Sequence, residues 1–107
     1  MDADKPPHNP VQEMISLLES MRSYIQDDAE LMWTSFQSAA EVRQELDECI
    51  AGIRKLDHTA LERTATFFIP AGDFQNIALD SGWGDVFLIF AERYDKLYSE
   101  LKELTKG

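Results

Sequence analysis

Any chemistry in this chain would have to come from few groups. It has one cysteine, Cys49, and two histidines, His8 and His58, set among twenty carboxylates. A nucleophilic or redox cysteine needs a neighbouring base or cation that stabilises the thiolate. Cys49 lies between Glu48 and Ile50, at helical spacing from Leu46 and Ile53. That is the pattern of a small buried hydrophobe. His8 falls in the opening segment and His58 at a helix end, and neither has a second ligand at metal spacing. There is no H-E-x-x-H, no Ser–His–Asp or Cys–His arrangement and no nucleophile elbow. The inward-facing Glu-x-x-His pairs of a di-metal carboxylate site are also missing. The expectation is a protein that is not an enzyme and uses no metal or cofactor.

Two groups of residues could instead recognise a partner. Glu41, Glu45 and Glu48 recur about one helical turn apart, which puts three carboxylates on one face. That face is rotated roughly 110° from the apolar positions Val42, Leu46 and Ile53, so it should meet solvent or a partner. Asp27, Asp28 and Glu30 precede it, and only Arg43 interrupts the run. Such a stripe would dock Lys and Arg side chains; the plainer alternative is a solvated helix face.

The second group lies in PAGDFQNIALDSGWGD, Pro70 to Asp85, which holds three of the five glycines and one of the two tryptophans. Pro70 stops the chain, and Gly72 is free to adopt positive φ after it. Asp73 then caps a short helix that turns Phe74, Ile77 and Ala78 inward, and Asp80-Ser81-Gly82 breaks it. Two uses follow. The segment is a helix–turn–helix corner that closes a bundle, or a recognition corner. In the latter, Asp73, Gln75, Asn76, Asp80 and Asp85 rim a partly exposed Trp83, whose indole N–H wants a partner. Calcium is excluded on pattern, because an EF-hand loop from Asp80 would put Gly82 and Gly84 where oxygen ligands belong. The glycines do not match G-x-G-x-x-G, so no phosphate cradle forms.

The elements that must carry these residues read as helices. Asn9 is an N-cap, Pro10 fits the first helical position and Gln12 completes a capping-box-like start. Val11, Met14, Ile15, Leu18, Met21 and Ile25 then recur at helical spacing, to an end near Gln26. Asp27 and Asp28 read as caps of a long second helix over 28–55, kinked near Gln37 where Ser38-Ala39-Ala40-Glu41 forms a capping box. Asp57 and His58 end it, and Thr59-Ala60-Leu61-Glu62 opens a short helix to Phe67. Phe67-Phe68-Ile69 should be extended and buried, because Pro70 disfavours helix at Ile69. Ser81 or Gly82 caps the last helix, on which Trp83, Val86, Phe87, Phe90, Tyr94, Leu97, Leu101 and Leu104 form one stripe. The run Val86–Ala91 reads as a buried helix face. No strand pair or repeat is evident. The fold expected is an all-α bundle of four to five helices, up-and-down in its long members, with an irregular crossover before the C-terminal helix.

One domain accounts for 107 residues, with 1–9 as a tail and 10–107 as the helical domain. The opening MDADKPPHNP lacks the basic and apolar regions of a secretory signal, and no apolar run is long enough to cross a membrane. A lone cysteine allows no intrachain disulfide. Together these point to the cytoplasm. Net charge is −10, and eleven acids against three bases fall in residues 1–53. That balance argues against nucleic acid and anionic membranes, both of which select cations. It favours a basic protein partner. The function expected is an acidic interaction module, an inhibitor or immunity-type protein masking a basic site. The alternative is a structural or regulatory homodimer joined through apolar residues that lie off the main stripes, such as Leu17, Leu31, Trp33, Leu88 and Ile89. A third use, a small-molecule site lined by Trp83, Phe87 and Tyr94, ranks below both.

Overall fold

The computed structural model describes residues 9–29, 31, 34–69 and 72–105. The expected tail over residues 1–8, and Glu30, Trp33 and Pro70, lie outside the described residues. The architecture is all-α. Helix α1 spans Pro10–Ser23, α2 Ala39–Arg54, α3 His58–Ala65, α4 Asp73–Asp80 and α5 Gly84–Thr105, and a 3-10 turn at Thr66–Phe68 follows α3. No strand occurs among the described residues.

Cross-helix pairs give the directions of the long members. Arg22 meets Asp47 and Arg43 meets Ile25, so α1 and α2 run antiparallel. Glu13 meets Arg93 while Tyr24 stacks on Trp83, so α1 and α5 run antiparallel as well. Thr64 with Tyr94 and His58 with Thr105 set α3 antiparallel to α5. The core is continuous: Met14, Leu18 and Met21 of α1, Val42, Leu46 and Cys49 of α2, Leu61 of α3, Phe74 and Ile77 of α4, and Phe87, Leu97 and Leu101 of α5.

Local signals explain most boundaries. The Asn9 side chain accepts from the Gln12 N–H at 3.2 Å, and Pro10 is the first helical residue. Helix α1 ends at Ser23, three residues before the expected Gln26. The long helix over 28–55 does not form. The described residues among 24–38 are non-helical, and α2 starts at Ala39 with Ser38 as its N-cap. Ser38 Oγ accepts from the Glu41 N–H at 3.1 Å, while the Glu41 carboxylate accepts from the Gln37 N–H rather than from Ser38. The capping box is thus a true start, not a kink.

Side chains that favour backbone partners keep the linker out of the helix. Thr34 Oγ1 donates to the Leu31 carbonyl at 2.9 Å and accepts from the Phe36 N–H at 3.2 Å. Ser35 donates from both N–H and Oγ to the Asp73 carboxylate, the latter at 2.7 Å. Asp27 does not cap a helix. Its carboxylate holds Arg43, whose second nitrogen donates to the Ile25 carbonyl at 2.9 Å.

Helix α2 stops at Leu56, which takes φ 54°. The Leu56 N–H donates to the Ile53 carbonyl and the Asp57 N–H to the Gly52 carbonyl, the paired bonds of a left-handed cap. Asp57 therefore does more than end a helix. Its side chain accepts from the Thr59 N–H at 2.9 Å and caps α3, two residues before the expected cap at Thr59. Phe67 and Phe68 belong to the 3-10 turn rather than to an extended run. Ile69 is extended but half exposed.

The segment before α5 departs from expectation in detail. Gly72 has φ −82° and ψ −177°, an ordinary extended conformation, and it, not Asp73, is the N-cap of α4. The glycine is needed there for space: a Cβ would lie 2.9 Å from the Ile69 carbonyl oxygen. Phe74, Ile77 and Ala78 face inward as expected. Gly82, at φ 86°, ends α4 rather than capping α5. Its N–H donates to the Leu79 carbonyl and the Trp83 N–H to the Ala78 carbonyl. Trp83 thereby becomes the residue that folds back onto the end of a helix, a position that usually makes an apolar contact. Gln75 and Asn76 are half-buried on α4. The run Val86–Ala91 is not a buried face, since Leu88 is 58% and Ile89 63% exposed.

Candidate functional site

The acidic stripe is largely occupied from within. Arg63, in the last turn of α3, places one nitrogen against Glu45 and, at 3.3 Å, against Glu48. Its guanidinium pKa is raised, chiefly by the hydrogen bond to Glu45. Glu48 also accepts from Gln44 at 3.2 Å. Glu45 is half-buried, and Glu41 is committed to the N-terminus of α2. The stripe is a solvated seam between α2 and α3, with one cation bridging two of its three carboxylates. The depression beside it has a volume of about 470 Å3 and is lined by Ser35, Phe36, Glu45, Phe67 and Asp73. Both of its carboxylates already have partners, Arg63 and Ser35.

Trp83 is not partly exposed. It is 6% exposed, stacked on Tyr24 with ring centroids 5.1 Å apart and planes 28° from parallel. Tyr24 in turn meets Phe90 edge-on at 6.0 Å and remains 37% exposed. Trp83 Nε1 has no hydrogen-bond partner among the described residues. Such a buried donor costs about 1–3 kcal/mol relative to a satisfied one. Phe87 and Tyr94 are likewise core residues, so the three aromatics do not line a ligand pocket of their own. Tyr94 has its phenol 2.8 Å from Thr64 Oγ1, and burial pushes its pKa up.

A cleft does open on the outer side of the Tyr24–Trp83 stack. It has a volume of about 670 Å3 and is lined by Tyr24, Gln26, Asp28, Ala29, Asp80, Ser81, Gly82 and Trp83. Two segments far apart in the chain build it: the start of the α1–α2 linker and the α4–α5 turn. The left-handed Gly82 carries Asp80 and Ser81 to one lip. The other lip holds Asp28, beyond the Asp27–Arg43 pair that anchors the linker. Asp28 and Asp80 are both exposed and make no ion pair among the described residues. This geometry suits a cation: two uncompensated carboxylates flank a half-exposed aromatic ring, the combination that attracts guanidinium and ammonium groups.

The structure thus brings Asp28, Asp80 and Trp83 together, sets Asp27 beside them, and removes Glu41, Glu45, Glu48 and Asp73 to structural duties. Asp85 lies on α5, outside the cleft lining. Sequence reasoning missed Tyr24, which ends α1 as its C-cap. Its off-stripe position after Met21 was the only signal.

Cys49 is fully buried, and desolvation raises its thiol pKa to about 11, which removes it as a nucleophile at neutral pH. No cluster of three or more metal-ligating side chains occurs among the described residues, and none of their helices is long and apolar enough to cross a membrane. Comparison with known proteins finds no matching family model, and no curated protein or solved structure with significant similarity.

Proposed function

We infer that this protein is a non-enzymatic acidic interaction module that binds a basic protein partner, in the manner of an inhibitor or immunity protein that masks a cationic surface. The observation that carries the reading is the cleft over Tyr24 and Trp83, where Asp28 and Asp80 stand without cationic partners among the described residues. A Lys or Arg side chain entering it would gain two charge-assisted contacts and a ring face. The overall charge of −10 would steer such a partner toward the surface and raise its on-rate. The single, buried thiol suits a reducing compartment, which agrees with a cytoplasmic location.

The test is capture from the native source lysate with low-salt and then high-salt elution, using the wild type, Asp28→Lys/Asp80→Lys and Glu41→Lys/Glu45→Lys/Glu48→Lys. One basic protein held at low salt, released at high salt and lost with the first variant supports the reading. Undiminished capture by Asp28→Lys/Asp80→Lys overturns the cleft as the contact. A homodimer joined through the exposed Leu88 and Ile89 is the second reading. Sedimentation equilibrium decides it.

A further inference from the structure

Beside the cleft, the α4–α5 corner exposes apolar side chains that the bundle does not use. Leu79 is 60% exposed, Leu88 58% and Ile89 63%. They are adjacent. The Leu79 side chain lies over Gly84, where Leu79 Cδ2 would stand 2.8 Å from a Cβ. Leu88 follows Gly84 by one helical turn on the same face. At about 100° per residue, Asp85 and Glu92 project between the Leu88 and Ile89 directions, one turn before and one turn after them. Asp95 lies two turns beyond Leu88 on its side of the helix, and Asp80 follows Leu79 directly.

None of these four carboxylates has an ion pair among the described residues, and all are exposed. Among the described residues, Lys96 is the one cation on this outer face; Arg93 is turned toward Glu13 of α1. An apolar strip framed by acids has a definite complement. A second copy of this chain would bring like charges together along the strip, whereas a helix with an apolar face flanked by Lys and Arg would match it in both respects.

We propose that the strip of Leu79, Leu88 and Ile89, framed by Asp80, Asp85 and Glu92, docks a basic amphipathic helix of the partner. This rests on the basic-partner reading above and extends it. Asp80 belongs to both surfaces, so one partner segment would lie along α5 while a cation enters the Tyr24–Trp83 cleft.

The test titrates the full-length protein with three synthetic peptides, followed by methyl and backbone NMR. The peptides are a leucine–lysine amphipathic helix, a serine–lysine peptide of equal charge and a leucine–glutamate helix. The expected result is selective binding of the leucine–lysine helix, with the largest shifts at Leu79, Leu88 and Ile89. Leu88→Ser/Ile89→Ser should weaken it at least about tenfold, the scale of losing central apolar anchors. Both positions are exposed, so circular dichroism should show an unchanged fold. Equal binding of the serine–lysine peptide, with shifts confined to Tyr24, Asp28 and Trp83, overturns the strip while leaving the basic-partner reading intact. Equal binding of the leucine–glutamate helix overturns the role of the carboxylates. A wild-type dimer by sedimentation that Leu88→Ser/Ile89→Ser dissociates makes a second copy the occupant and overturns the proposal. Absence of binding by any peptide also overturns it.

Discussion

Gly52, in the final turn of α2, sets how closely α3 can approach. A Cβ at Gly52 would overlap Ala60 Cβ and lie 3.7 Å from Ala60 Cα and 3.8 Å from Asp57 Cβ. Ala60 is buried and has no rotamer by which to retreat. The helices cannot simply part, because the Asp57 N–H donates to the Gly52 carbonyl at 3.0 Å and Leu56 holds the reversal between them. Gly52→Ala therefore sets two effects against each other. Replacing a helical glycine gains about 1 kcal/mol in propensity. Forcing a methyl group into a packed contact costs about 1–3 kcal/mol. With backbone-linked atoms on both sides, the contact should dominate, for a net loss of up to about 2 kcal/mol. In a chain of this size each kcal/mol lowers Tm by about 4–8 °C.

The companion variant is Ala60→Gly, which alone should cost about 1 kcal/mol in propensity. In the double variant the methyl group has merely moved across the interface, so stability should return close to that of the wild type. Urea unfolding followed by far-UV circular dichroism measures all four proteins. The expected coupling is about 2 kcal/mol in the favourable direction, well above the scatter for independent sites. A Gly52→Ala protein as stable as the wild type, or additive costs in the double variant, would refute the close-approach argument.

Three further outcomes are expected. Thr64→Val should cost more than Tyr94→Phe. The valine leaves a buried phenol without its partner, at about 1–3 kcal/mol, whereas the phenylalanine leaves Thr64 still donating to the Leu61 carbonyl and costs about 1 kcal/mol; chemical denaturation compares them. Leu56→Gly should stabilise by about 1 kcal/mol, because a leucine at φ 54° carries a left-handed penalty that glycine lacks; thermal melts test the sign. Stability should fall in alkali through Cys49. An unfolded thiol ionises near 9.0 while the folded one keeps its proton to about 11. The native state then binds the extra proton, so stability present below pH 9.0 is lost as pH rises toward about 11. The full gap is worth about 3 kcal/mol. The urea midpoint of the wild type should drop further over that range than that of Cys49→Ala.

Much of the architecture was legible without coordinates, because it rests on short-range physics. Asn9 and the Asp80-Ser81-Gly82 break act within a turn of themselves, and each marks a real helix boundary; Ser38 carried the same kind of signal but read as a kink in a longer helix, not as the start it is. The inward residues of α4 and the Cys49 burial followed from spacing alone. The apolar phase across residues 28–38 misled for the same reason. Leu31, Met32, Trp33 and Phe36 read together as an apolar helix face, but Thr34 and Ser35 divert the backbone, and Ser35 does so through a carboxylate thirty-eight residues away. No local pattern encodes that partner.

Charge was legible as a total and illegible as a surface. Glu45 and Glu48 look like a free acidic face until α3 folds back and sets Arg63 between them. Asp28 and Asp80 look unrelated until the linker and the α4–α5 turn meet over the Tyr24–Trp83 stack. Sequence alone determined that this is an acidic all-α chain with defined caps, since propensity, capping and periodicity are properties of neighbouring residues. Only the tertiary structure decided which carboxylates stay uncompensated and which leucines stay wet. Those depend on what the rest of the chain brings within a few ångströms of each side chain.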